Sequence, residues 1–113
     1  MEKLVQIQKY KFNGQDSYTI YYQKNEEEPV QVLLPAGLWN KSVIINALIR
    51  SKYSQDQVEA IINNHFLNIA EWLDAKFNGS TDGFVDEEYD DFQSWRKQCK
   101  LLADEALKLY PAE

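Results

Sequence analysis

Six carboxylates crowd into the stretch NGSTDGFVDEEYDD, which spans residues 78–91. Its oxygen-bearing side chains match much of the twelve-residue loop that binds calcium between two helices. The matching oxygen donors are Asn78, Ser80, Asp82, Asp86 and, one position early, Glu88. The last position of such a loop normally holds a Glu that supplies two oxygens, and here it holds Tyr89. Because that ligand closes the site, we predict no metal and keep a degenerate calcium loop as an alternative.

The same acids suit the first turn of a helix, where the helix dipole stabilises carboxylates and Asp82 or Asp86 can act as the N-cap. Capping leaves two like-charge pairs unexplained, Asp86–Asp90 and Glu87–Asp91, each spaced four residues apart. Each such pair destabilises an isolated helix by about 0.2–0.5 kcal/mol. No Lys or Arg lies three or four residues from these four acids. We predict that they bind a protein partner with a basic surface, and a merely solvated helix start is the alternative.

Nucleophilic and metal-ligating side chains are scarce, since the chain has one histidine, His65, and one cysteine, Cys99. A zinc site needs about four ligands, and a general base needs a nucleophile or a substrate proton within reach. Both residues fall on apolar helix stripes, so we predict a hydrogen-bonded histidine at the core edge and a buried thiol. The sequence therefore predicts no catalytic residue and no cofactor. A small enzyme with dispersed carboxylates is the second alternative.

The charge distribution argues against nucleic acid as a partner. The net charge is −6, and residues 78–113 hold nine acidic and four basic side chains, which is −5 of it. Phosphate backbones are bound by clustered Lys and Arg, which this balance does not supply. The longest apolar runs are three residues, so we expect no membrane helix, and no leader resembling a signal peptide is visible. A single cysteine suits a reducing cytoplasm.

Apolar periodicity predicts an α+β fold in a single domain over residues 1–113. Residues 1–35 read as a three-stranded antiparallel meander, with Asn13-Gly14 as a hairpin turn and a bulge expected near Lys9. Residues 40–110 read as three helices, with Asn40 as one N-cap and Ser54 with Gln57 as a capping box. The predicted core comprises Val5, Ile7, Ile20, Val32, Leu34, Ile44, Leu48, Ile61, Ile62, Phe66, Ile69, Leu73, Phe92, Trp95, Cys99 and Leu102.

Two helical segments carry a resemblance. INALIRSKYSQDQVEAIINN, followed by FQSWRKQCKLLADEAL, is similar to small uncharacterised accessory proteins of phages and prophages. In these proteins a short β-region leads into a helix pair with an I-R-x-K-Y-S type of turn. The resemblance covers about half of the chain and implies an accessory or tail-associated role without known catalysis. The WLDAKFNGSTDGFVDEE connection departs from that pattern.

Overall fold

The fold is α+β, as predicted: a three-stranded antiparallel sheet followed by three helices. A computed structural model of the chain describes residues 2–112. The strands are β1 (Glu2–Phe12), β2 (Gln15–Lys24) and β3 (Val30–Leu33), in the order β1-β2-β3. The helices are α1 (Lys41–Arg50), α2 (Gln55–Phe77) and α3 (Glu87–Leu109). No helix of the described residues is long and apolar enough to cross a membrane.

The β1–β2 hairpin turns at Asn13-Gly14, where both residues have positive φ, as the dipeptide predicts. The register of this pair shifts between Leu4 and Gln6, so the bulge lies at Val5 and the prediction of a bulge near Lys9 was wrong. The extra residue turns Val5 outward, and its side chain is half exposed rather than in the predicted core.

All three helices begin at side-chain caps, because each first turn needs acceptors for its unpaired amides. Asn40 accepts from the backbone N–H of Val43, and Ser54 forms the predicted capping box with Gln57. Asp86, one of the two predicted caps of α3, accepts from the backbone N–H of Tyr89. These interactions fix where the helices start.

The core lies between the sheet and the pair formed by α1 and α3. Of the fifteen buried apolar side chains among the described residues, six belong to α3. They are Phe92, Trp95, Cys99, Leu102, Ala103 and Ala106. They meet Ile20, Tyr22, Val32 and Leu34 from the sheet side and Ile44, Leu48 and Ile49 from α1. Most of the predicted core is therefore confirmed.

Helix α2 differs from the prediction, because it packs against α3 and contributes only Ile61 to the buried core. The predicted burial of Ile62, Phe66 and Leu73 was wrong, since all three are exposed. The molecule measures 63 × 29 × 22 Å, and its radius of gyration is 18.2 Å. A compact chain of this length has a radius of gyration of about 13 Å. The protein is thus elongated, and residues 2–112 leave part of the apolar side of α2 exposed.

Cys99 is fully buried, and burial raises the pKa of its thiol to about 12. Because only the thiolate is nucleophilic, we expect iodoacetamide to label the folded protein at pH 8 more than about 100-fold more slowly than the urea-unfolded protein. Mass spectrometry of the alkylated chain measures both rates. Equal rates would show that Cys99 is accessible and that this part of the core is open.

Candidate functional site

An open groove lies between α2, α3 and the end of α1. Its volume is about 500 Å³, and it is lined mainly by apolar side chains. The lining residues are Asn46, Ile49, Arg50, Val58, Ile62, His65, Phe66, Ile69, Tyr89, Phe92, Gln93 and Arg96. Its size falls within the range of pockets that bind ligands or partner side chains. We call it the α2 groove.

One wall of the α2 groove continues along α2 as an apolar stripe. The stripe, here called the α2 seam, consists of Val58, Ile62, Phe66, Ile69, Leu73 and Phe77. Their spacing of three or four residues places them on one face of the helix. Phe66 is 66% exposed, Leu73 is 45% exposed and Phe77 is 91% exposed. A run of large apolar side chains left in solvent is the usual mark of an interaction surface.

A histidine–aspartate pair joins α2 to the start of α3. Asp86 Oδ2 lies 2.9 Å from His65 Nδ1 and accepts from Asn68 Nδ2 at 3.2 Å. Its other oxygen, Oδ1, caps α3 through the backbone N–H of Tyr89 at 3.2 Å. The ring of His65 stacks on the ring of Tyr89, with centroids 3.5 Å apart. The predicted hydrogen bond of His65 through one ring nitrogen is therefore present, and Asp86 is its partner.

The hydrogen bond from His65 holds the pKa of the Asp86 carboxyl below its usual value, and the cap at Tyr89 and the bond from Asn68 act in the same direction. Burial opposes this shift. Both oxygens of Asp86 are thus occupied by groups that favour its charged form. The carboxylate organises the junction between α2 and α3.

The connection between α2 and α3 folds back along α2. Trp72 Nε1 donates to the backbone carbonyl of Asp82 at 2.9 Å, and the ring of Phe84 contacts both Trp72 and His65. Lys76 Nζ lies 4.8 Å from the centroid of the Trp72 ring. These contacts occupy the side of α2 next to the α2 seam. The C-terminal half of α2 is therefore covered by the connection on one side and exposed to solvent on the other.

Several of the residues that matched a calcium loop are engaged in hydrogen bonds of the protein itself. Asp86 is bound to His65 and Asn68, and Asn78 caps the end of α2 through its amide, which donates to the carbonyl of Asp74. Ser80 accepts from the backbone N–H of Asp82. Within residues 2–112, no three His, Cys, Asp or Glu side chains are grouped so as to hold a metal ion.

Three of the four acids that were predicted to bind a partner are exposed. Asp86 is buried, so the expectation that it is exposed was wrong, and its bond to His65 is the reason. Glu87, Asp90 and Asp91 are exposed on α3, and we call them the acidic face. Within the described chain none of them forms a salt bridge. The pKa of Tyr53 is raised, by burial first and then by the charges of Asp91 and Glu88.

The residues that line the α2 groove include one oriented histidine. His65 is oriented by a carboxylate, as a general base would be, and it lines the groove. Tyr89 supplies the sole hydroxyl among the residues that line the groove, and no serine, cysteine, lysine or carboxylate lines it. A nucleophile would therefore be water or a group of the substrate, with His65 as the base.

Neither the α2 groove nor the exposure of the α2 seam was predicted from the sequence. One feature of α2 could have indicated them: its apolar residues form two stripes, Ile61–His65–Trp72 and Ile62–Phe66–Leu73. Together these are wider than one packed face of a helix. Comparisons of the chain with protein-family models, curated proteins and solved structures found no match.

Proposed function

We propose that this chain is a non-catalytic protein–protein interaction or assembly module. The observation that carries the proposal is the exposed α2 seam beside the α2 groove. Its two phenylalanines alone present about 300 Å² of apolar surface, given their exposed fractions and the size of an aromatic side chain. The largest apolar patch on a typical monomer is about 300–600 Å², and patches of that size are often functional. The setting we propose is the one that the resemblance implies, an accessory or tail-associated role in a phage or prophage.

The acidic face supports a basic partner. Glu87 and Asp91 are four residues apart, and Glu87 and Asp90 are three apart, so they repel one another along α3. A basic protein surface would relieve that repulsion and would be steered toward the site over the Debye length, about 8 Å at physiological salt. The same charge disfavours nucleic acid. We propose a protein partner with a basic surface on this side of α3.

Neutralising the acidic face tests this proposal. We expect E87Q/D90N/D91N to bind the partner at least about tenfold more weakly at low ionic strength, because electrostatic steering is lost. The free energy of unfolding should change by less than about 1 kcal/mol, since relief of repulsion offsets the lost helix-dipole interaction. Partner recovery on the immobilised protein, quantified by mass spectrometry across a salt series, measures the first effect. Urea unfolding measures the second.

The matched control is E26Q/E27Q/E28Q, which removes three exposed carboxylates from the turn between β2 and β3. It should retain the partner and its salt dependence. Equal recovery by both triple variants would show that the acidic face is only a solvated helix start.

A small enzyme is the second candidate, and the orientation of His65 by Asp86 is the observation that favours it. In that case an activity would depend on the imidazole itself. His65→Gln would abolish it, whereas Phe77→Ser at the far end of the α2 seam would leave it unchanged. An interaction module gives the opposite pattern, with binding lost in Phe77→Ser.

A further inference from the structure

We propose that the α2 seam binds a second copy of this chain, with the two α2 helices packed antiparallel about a two-fold axis. The inference rests on the proposed assembly function and names the partner that covers the seam. Three features favour a second copy: the spacing of the residues in the α2 seam, the location of the α2 groove and the apolar area left exposed.

The α2 seam is symmetric along the helix. Val58 lies as far before the midpoint between residues 67 and 68 as Phe77 lies after it. Ile62 and Leu73 form a second such pair, and Phe66 and Ile69 form a third. An antiparallel copy centred on that midpoint therefore places an apolar residue level with an apolar residue at every step. A two-fold interface requires this self-complementarity, because each patch must fit its own copy.

The α2 groove and the protruding end of α2 complement each other. Val58 and Ile62 line the groove at one end of the seam, while at the other end Leu73 is about half exposed and Phe77 projects into solvent. The two-fold arrangement places the Phe77 ring of each copy over the groove of its partner, level with Val58. The groove volume of about 500 Å³ has room for that ring. Both copies would fill a space that neither fills alone.

The exposed area supplies a large part of what a stable contact needs. Phe66 and Phe77 of two copies together present about 600 Å² of apolar surface. Ile62, Leu73 and the groove walls add to this, and a stable interface buries at least about 1,200 Å² in total. The elongated shape, with a radius of gyration of 18.2 Å, is also what a protomer that completes its packing on a partner would have.

The mass in solution tests the proposal. We expect the wild type to sediment as a dimer of the 13.3 kDa chain over a dilution series. Phe77→Ser should weaken the dimer about 100-fold or more, because each ring fills the partner's groove and the contact is present twice. Phe77 is 91% exposed, so circular dichroism and Tm of the diluted variant should match the monomeric wild type. The control is Leu67→Ser, which removes a 62% exposed side chain from the opposite face of α2 and should leave the dimer intact.

Cross-linking tests the antiparallel arrangement. Lys76 is exposed and precedes Phe77, so a cysteine at position 76 keeps the phenylalanine ring. Two copies of residue 76 would lie about 26 Å apart along the helix axes, since each residue adds 1.5 Å. K76C should therefore form no disulfide-linked dimer under oxidation, whereas V58C/K76C should form one. Cys99 is buried and does not interfere. Cross-linking of K76C alone would overturn the antiparallel arrangement.

The failure of this inference is distinguishable from the failure of the proposed function. If the wild type is monomeric and Phe77→Ser abolishes binding of a different protein, the dimer is overturned but the interaction module stands. A dimer unaffected by Phe77→Ser would overturn the seam as its interface. A monomer whose partner recovery is unchanged in both Phe77→Ser and E87Q/D90N/D91N would overturn both.

Discussion

Replacing Trp95 by alanine is expected to lower the free energy of unfolding by about 3–5 kcal/mol, as large aromatic truncations in cores do. Trp95 is 3% exposed, and its ring packs against Tyr22 at a centroid distance of 5.3 Å. Lys52 Nζ lies 4.8 Å from the same ring. Such a loss is a large part of the 5–15 kcal/mol that stabilises a typical domain. Urea unfolding monitored by circular dichroism measures it.

The matched variant is Trp95→Phe, which keeps most of the ring contact. Trp95 Nε1 has no hydrogen-bond partner among residues 2–112. Phenylalanine removes that buried N–H, and an unsatisfied buried polar group costs about 1–3 kcal/mol. The lost volume and the removed polar group therefore oppose each other, and we expect the net change to be within about 1.5 kcal/mol. A loss in Trp95→Ala no larger than that in Trp95→Phe would show that Trp95 is not a central core residue.

Local chemistry made the helix starts predictable, and periodicity made most of the core predictable. Asn40, Ser54 and Gln57 cap their helices because their side chains satisfy amides only two or three residues away. Trp95 was predicted to be buried from its position on an apolar stripe of α3. The bulge at Val5 was not predictable, since the register depends on how β1 pairs with β2, which the alternation along β1 alone does not reveal.

Replacing Asp86 by alanine is expected to lower Tm by about 5–10 °C, since losing an N-cap alone shifts Tm by several degrees in a domain of this size. The change also leaves His65 Nδ1 and Asn68 Nδ2 without their acceptor. Asp86→Asn should have roughly half the effect, because Asn is an equally good N-cap but carries no charge. Differential scanning calorimetry measures both. Asp82→Ala, an exposed acid of the same connection, is the control and should change Tm little.

The pH dependence of these variants has a definite sign. The pKa of Asp86 is lower in the folded chain than its unfolded value of about 3.9, chiefly through the bond from His65. Its contribution to stability is therefore complete above the unfolded pKa and is lost as pH falls through the folded pKa. The part of the Tm difference between wild type and Asp86→Asn that comes from the charge of Asp86 should shrink below about pH 4. Lys11 also lowers the pKa of Asp16. Because Asp16 is present in both proteins, its contribution cancels in the Tm difference. A difference that grows toward low pH would contradict this assignment.

The candidate site was less predictable than the fold. Periodicity placed Ile62, Phe66 and Leu73 on an apolar face of α2, but it does not reveal whether the same chain or another covers that face. The pairing of His65 with Asp86 spans 21 residues and depends on how the connection folds back along α2. For the same reason the exposure of Asp86 was predicted wrongly, while the positions of Glu87, Asp90 and Asp91 on α3 were correct.

The concentration of the core in α3 has a consequence for synthesis. A ribosome makes α3 after every other described element, yet six of the fifteen buried apolar side chains belong to it. Gln98 Nε2 donates to the carbonyl of Glu2, and Trp39 Nε1 donates to the carbonyl of Tyr110. Before α3 is made, the apolar face of the sheet lacks six of the side chains that bury it, and burial of apolar surface is the main favourable term in folding. We therefore expect the domain to fold as a unit only after α3 has emerged from the ribosome.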